Sequence, residues 1–369
     1  MSDPTKGSVY LDHNATSPPR PEVLDRALPF LTEHVGNPHA THGMARIPAA
    51  ALETARGELA AWGDVHSRTV VFTSGATESN HLALRGIRCG GRPGLLYSAV
   101  EHPSLAAPAA ALGGGVLPVD SDGVLDLDEL RGALDDTVGL VCVMAANNET
   151  GVVQPLEEIH AICRQRGALL HVDAAQVAGR FDLGPHWDSL TLSGHKAGGL
   201  IGAGALLRRG SVDLEPQQLG GAQERGFRAG TANVAAAVGL AEALKHPWPQ
   251  ERLLGWRETL SAAAADAGAT ITGVGVKRLA NTLHLTLDPV AGEVLAMALD
   301  LEGICVSTGS ACASGASEPS PVLQAMGLHP RGGLRISMGW NTTPDEIEVA
   351  ALALDRVVRR CKSMGEEIS

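Results

Sequence analysis

Apolar, β-branched runs of four to eight residues alternate with alanine- and leucine-rich helical stretches along most of this chain, and no other feature restricts its fold as much. The reading gives strands at 69–73, 95–99, 138–145, 168–172, 189–193 and 203–207. Helices are expected at 49–62, 104–112, 156–166 and 233–245, with a further one opening near Pro21. Strands separated by helices of this length predict an α/β fold, a mostly parallel sheet covered on both faces. In such sheets ligands gather beyond the carboxyl ends of strands. Small or polar clusters sit directly behind four of these runs, at 73–77, 147–151, 173–176 and 193–196.

His246-Pro247-Trp248-Pro249 breaks the helical pattern and reads as a boundary. A large domain is expected over 15–248. A smaller α+β domain is expected from 1–14 and 249–369, with strands at 282–287, 304–307 and 334–338 and a last helix from Asp345. At 369 residues the chain is long enough for more than one core. The formal net charge of -12 argues against a protein that grips nucleic acid by neutralising phosphates, and no direct nucleic-acid binding is expected. Six dispersed cysteines without a Cys-x-x-Cys pair, and no leader or membrane-length apolar run, fit a reduced, cytoplasmic setting.

The strand ends carry residues suited to a pyridine ring bearing an aldehyde, a phenolic oxygen and a phosphate. Lys196, in Ser193-Gly194-His195-Lys196-Ala197-Gly198-Gly199, can form a Schiff base with such a carbonyl, although a lysine beside glycines is ordinarily a solvated loop residue. Asp173 can keep the ring nitrogen protonated, or simply cap a helix, and Gln176 can donate to the phenolic oxygen. Gly75-Ala76-Thr77 opens a helix and offers N–H groups to a phosphate, with Ser193 and His195 as further donors. No Walker lysine follows, which removes a nucleotide P-loop. His102 can stack on the ring or relay protons, or serve only as a turn residue before Pro103. Cys312 lies in a small, polar, glycine-flanked loop that exposes a thiol, whereas Cys142 and Cys163 sit in apolar runs. That loop has no second soft ligand at a zinc spacing, so no metal is expected.

Ordered motifs along nearly the whole chain resemble the cysteine desulfurases of the NifS/IscS-like branch, pyridoxal-phosphate enzymes of the class V aminotransferase family. They include Asp12-His13-Asn14-Ala15-Thr16, Gly36-Asn37-Pro38, Ser74-Gly75-Ala76-Thr77-Glu78-Ser79-Asn80 and Glu101-His102-Pro103-Ser104. Asn147-Asn148-Glu149-Thr150-Gly151, His171-Val172-Asp173-Ala174-Ala175-Gln176, Ser193-Gly194-His195-Lys196, Arg228-Ala229-Gly230-Thr231, Gly309-Ser310-Ala311-Cys312 and Arg335-Ile336-Ser337 continue the series.

The resemblance implies a fold type I homodimer using pyridoxal 5'-phosphate. Lys196 would carry the cofactor, Asp173 would face the ring nitrogen, Gln176 the phenolic oxygen, and His102 the ring. Gly75, Ala76, Thr77, Ser193 and His195 would hold the phosphate, with Thr231 reaching the neighbouring subunit's cofactor. Asn37, Asn148 and Arg335 would face the substrate, Asn148 also touching the cofactor and Arg335 taking a carboxylate. L-cysteine would leave as alanine, and Cys312 would keep the sulfur as a persulfide for an iron–sulfur scaffold or another acceptor. His102 is a candidate to take the thiol proton. Alternatives are a selenocysteine lyase or related lyase, and a silent sulfur-handling scaffold. Two departures stand out. Gly198 to Gly202 replaces the family's usual Gly-Pro-Lys-Gly turn, and the stretch before Arg335 is short.

Overall fold

A computed structural model of the chain describes residues 7–309 and 319–368. Its centre is a seven-stranded sheet in the spatial order Val70–Thr73, Gly204–Arg208, Ser189–Ser193, Leu169–Asp173, Val138–Met144, Gly94–Ser98, Gly115–Leu117. Five neighbouring strands, from Ser189–Ser193 outward to Gly115–Leu117, run parallel, while Gly204–Arg208 is antiparallel to both of its neighbours. The sheet is therefore mostly parallel with one reversed strand. The expected strands match these to within a residue or so. The edge strand Gly115–Leu117 was not anticipated, because its sequence is short, glycine-rich and largely exposed.

All seven residues of Val138–Met144 are buried, as a strand covered on both faces requires. Alternate side chains enter different cores: Val141 and Val143 join Leu52, Leu59 and Leu240 on one face, while Leu140 and Cys142 join Leu82, Leu105 and Ala109 on the other. The helices Arg46–Trp62 and Val234–Ala243 cover the first face, and Ala76–Gly86 and Pro103–Ala111 the second.

A separate core gathers Val9, Leu11, Leu253, Leu283, Leu295, Leu334 and Val357 around the three-stranded antiparallel sheet Thr270–Ile271, Thr282–Thr286, Gly333–Ser337. The strand Val9–Tyr10 pairs in parallel with Ile304–Cys305, so the start of the chain belongs to this second core. Residues 12–17 then cross to the large sheet, where the Ser17 amide bonds the His195 carbonyl. Trp248, in the proline-rich break, is buried: its amide donates to Gly179, and the Arg180 guanidinium lies 4.1 Å from its ring centroid. The Trp248 side chain packs in the second core, so the boundary residue ties the two cores together. Among the described residues no helix is long and apolar enough to cross a membrane.

Candidate active site

A cleft of about 500 Å³ opens beyond the carboxyl ends of the parallel strands, between the two cores. It is lined by Gly75, Ala76 and Thr77 from one strand end, Met144, Ala146 and Asn148 from the next, Asp173 and Gln176 from a third, and Ser193, His195 and Lys196 from a fourth. His102, Ser104, Asn14, Gly309 and Arg335 complete the wall. The four polar clusters seen in sequence therefore meet at one place, as the geometry of parallel strands dictates.

Asp173 lies at the floor and is buried. Its carboxylate accepts from the Ala175 amide at 2.9 Å and from Asn80 Nδ2 at 2.7 Å. It forms no ion pair with a described residue, so its charge is left for whatever enters the cleft. Glu101 is buried nearby. The Met144 amide donates to its Oε1 at 2.6 Å, its Oε2 has no partner among the described residues, and burial, then the charge on Asp173, push its carboxyl well above the usual range.

Gln176 is held by its amide: Nε2 donates to the Asn14 carbonyl at 3.0 Å, and Oε1 accepts from Arg180 at 3.0 Å. Arg180 is buried, and its Nη groups also donate to Asn14 Oδ1 at 2.7 Å, the His13 carbonyl at 3.2 Å and the Lys196 carbonyl at 2.6 Å. Burial brings its guanidinium down to about 9. The Lys196 turn is thus tied from behind by a residue that sequence reading did not single out. Asn14 was read only as part of a motif, yet it bonds Gln176, Arg180, Thr282 and Asn281 at once.

At the other end of the cleft the helix Ala76–Gly86 begins without a side-chain cap at Gly75, leaving first-turn N–H groups for a ligand. Gly75 has φ +156°, and a Cβ on the facing Gly204 would lie 2.5 Å from the Gly75 Cα, so both positions require glycine. Glu78 also lines this end, its carboxylate accepting from the Ser74 amide at 2.7 Å and from Arg228 at 2.8 Å. His195 Nδ1 lies 3.1 Å from Thr16 Oγ1, and burial, followed by Lys196 and Arg180, lowers its pKa to about 4.

Arg335 lines the opposite wall, already engaged: Nη2 pairs with Asp12 at 2.6 Å and Nη1 donates to the Asn148 carbonyl at 3.0 Å. Glu149 touches both described flanks of the cysteine segment. Ser320 Oγ donates to it at 2.6 Å, and a Cβ on Gly309 would meet its Cγ at 2.9 Å. Burial raises the Glu149 carboxyl. Cys312 lies outside the described residues.

Two residues expected at the site do not line this cleft. Asn37 is exposed, its Oδ1 accepting from the His39 amide at 3.0 Å in a local turn. Thr231 borders a separate cavity of about 190 Å³ that shares Ser74 with the cleft. Both belong to exposed segments outside the strand-end cluster. The unusual Gly198–Gly202 turn folds back through the Gly199 amide to the Gly194 carbonyl and leaves Ile201 exposed at the cleft mouth.

Pyridoxal phosphate fits this cleft on its donor set alone. The unpaired anion of Asp173 lies at the floor, the Lys196 amine in the wall, and the uncapped helix start at the far end.

The aminotransferase class-V family model matches residues 9–349. A cysteine desulfurase of Cereibacter sphaeroides is 40% identical over 376 residues, covering 97% of each chain. A solved NifS-like protein superposes with a TM-score of 0.86 at 31% identity, over 95% of this chain and 99% of its own. A solved SspA in complex with cysteine gives a TM-score of 0.80 at 29% identity, over 90% and 99%.

Proposed function

The chain belongs to the aminotransferase class-V family as a pyridoxal-phosphate-dependent cysteine desulfurase, and from that premise we propose which of its residues perform the reaction. The carrying observation is the meeting of Lys196, Asp173, Gln176, His102 and Arg335 in one cleft beside an uncapped helix start. Pyridoxal phosphate, when bound, supplies an electron sink for the pair released at the substrate α-carbon.

Lys196 Nζ would hold the cofactor and would move the substrate α-proton. Asp173 keeps a positive charge at the ring nitrogen, and Gln176, oriented by Arg180 and Asn14, donates toward the phenolic oxygen. Gly75, Ala76, Thr77, Ser193 and His195, which line one end of the cleft, would hold the phosphate, and Asn148 would lie against the cofactor. Arg335 takes the carboxylate of L-cysteine in exchange for Asp12. The Cys312 thiolate would attack the substrate sulfur; the carbon–sulfur bond breaks with its electron pair left on carbon, which takes a proton to give alanine, and Cys312 retains the sulfur as a persulfide.

A homodimer in which Thr231 reaches the neighbouring subunit's phosphate, and transfer of the persulfide sulfur to an iron–sulfur scaffold or another acceptor, complete the reading. The cytoplasm is the proposed setting, supported by five described cysteines that are all free. The test is spectroscopic and chemical. The purified protein is expected to show the visible band of lysine-bound pyridoxal phosphate, and Lys196→Ala to lose it. Cys312→Ala should keep the band and stop sulfur release from L-cysteine. Retained turnover in Cys312→Ala would overturn the persulfide route in favour of a lyase that needs no thiol.

A further inference from the structure

We propose that His102 acts in the cleft as a hydrogen-bond donor through Nε2 rather than as a base, with Ser104 and Asn80 as the positioning residues that hold it in that tautomer. This deepens the desulfurase reading and rests on it.

The direction of each hydrogen bond follows from the groups involved. His102 caps the helix Pro103–Ala111, and the Ser104 backbone N–H points at its Nδ1 at 3.1 Å. A backbone N–H can only donate, so Nδ1 must present a lone pair. A proton on Nδ1, in either the other neutral tautomer or the imidazolium, would set two N–H groups against each other. The proton of the neutral ring therefore resides on Nε2.

Ser104 Oγ, 2.9 Å from the same nitrogen, adds a second donor. Its sense is set by Asn80, whose Nδ2 donates to that oxygen at 3.1 Å and leaves the single hydroxyl proton for Nδ1. Asn80 cannot be turned over, because Nδ2 also faces the Asp173 carboxylate at 2.7 Å. Its Oδ1 accepts from His171 Nε2 at 3.2 Å, and His171 Nδ1 in turn accepts from Ser189 Oγ at 2.8 Å. One sense of donation thus runs from Ser189 through Asn80 to His102, and the charge of Asp173 fixes it.

An Nε2–H imidazole whose Nδ1 is occupied by two donors has no lone pair to offer the cleft. The expectation that His102 takes the Cys312 proton is replaced by the opposite role, a donor to sulfur or oxygen acceptors. Burial, and then the neighbouring Lys196, lower the pKa of His102, which agrees with a ring kept neutral.

The experiment labels histidine with nitrogen-15 in the full chain, with and without pyridoxal phosphate, and assigns His102 by the signals lost in His102→Gln. Long-range proton–nitrogen spectra are expected to show a bare Nδ1 and a protonated Nε2 from pH 8 to pH 6. Ser104→Ala removes one donor to the neutral ring and is expected to raise the His102 pKa by about one pH unit. A protonated Nδ1 in the unaltered protein overturns the assignment. On the kinetic side, His102→Gln keeps an N–H donor without a base and is expected to turn over cysteine within about tenfold, whereas His102→Ala loses about a hundredfold. Equal losses in the two variants overturn the donor role. The spectra need no turnover, so a protein that shows this tautomer yet releases no alanine from cysteine fails the desulfurase reading alone.

Discussion

The floor and the mouth of the cleft are built on opposite principles. At the floor, Asp173, Asn80, Ser104 and His102 satisfy one another in a single sense of donation, and Gln176 is held from both sides by Asn14 and Arg180. At the mouth the polar groups are held by partners that a ligand can replace, Asp12 on Arg335 being the clearest case. A buried network whose members hold one another in a single sense of donation keeps its geometry through a reaction, because reversing any one bond sets donor against donor. Arg335 is buried but Asp12 is partly exposed, so an incoming carboxylate can take the place of Asp12 and keep the guanidinium paired. The floor therefore sets the chemistry, and the mouth admits the substrate.

The sharpest way to break this contrast is Asp173→Asn, which keeps the shape of the floor and removes its charge. One carboxamide oxygen can then accept from either Asn80 or the Ala175 amide but not both, and a bound ring loses the anion at its nitrogen. Alanine release from L-cysteine is expected to fall by about a hundredfold or more. A loss below tenfold would mean that shape rather than charge governs the floor.

Behind the floor, Arg180→Met removes the hydrogen bonds from Arg180 to Asn14, Gln176, His13 and Lys196, all made by a buried guanidinium. The acceptors left unpaired should cost about 3 kcal/mol of stability, measured by urea unfolding of the cofactor-free protein. An unchanged midpoint would show that this support is dispensable.

Away from the cleft, His284 offers a control for burial without catalysis. It is fully buried, its Nδ1 lies 2.8 Å from Thr272 Oγ1, and burial, followed by Arg335, takes its pKa down to about 3. Below about pH 6.5 the unfolded chain binds a proton at this histidine and the folded chain does not, so stability falls as pH falls. Between pH 7 and pH 5 this one group accounts for about 2 kcal/mol. His284→Gln should lose that much less over the same interval, by urea unfolding at both pH values. Equal pH dependence in the two proteins would show that His284 takes up its proton without unfolding.

The sheet and the four strand-end clusters were legible in the sequence because period and composition act locally there: an apolar run that stops at Asp173 or Ser193 marks both the strand and its carboxyl end. The residues that orient those groups were not. Asn80 sits beside Ser79, Leu82 and Ala83 on the buried part of the helix Ala76–Gly86. A polar residue at such a position was the available signal. Arg180 follows a buried turn, and nothing in its local sequence marks it as a buried support. Its partners Asn14 and His13 lie more than 160 residues away, so the match appears only after folding. Asn37 shows the converse. Its motif is specific in sequence, but its backbone lies in an exposed turn away from the cleft.

The smallest expected effect tests the mouth. In Asp12→Asn the guanidinium of Arg335 keeps a neutral neighbour of the same size and its contact with the Asn148 carbonyl. If Asp12 is a placeholder that the carboxylate of cysteine must displace, removing its charge lowers the competition. KM for L-cysteine should then fall about threefold with kcat nearly unchanged, since lost competition changes binding and not the chemical step. If Asp12 instead orients Arg335 as Asn80 orients Ser104, KM rises and kcat falls with it. The mouth would then be preorganised in the same way as the floor. Steady-state kinetics of this one variant, read as a KM against kcat split, decides between an exchangeable partner and a fixed one.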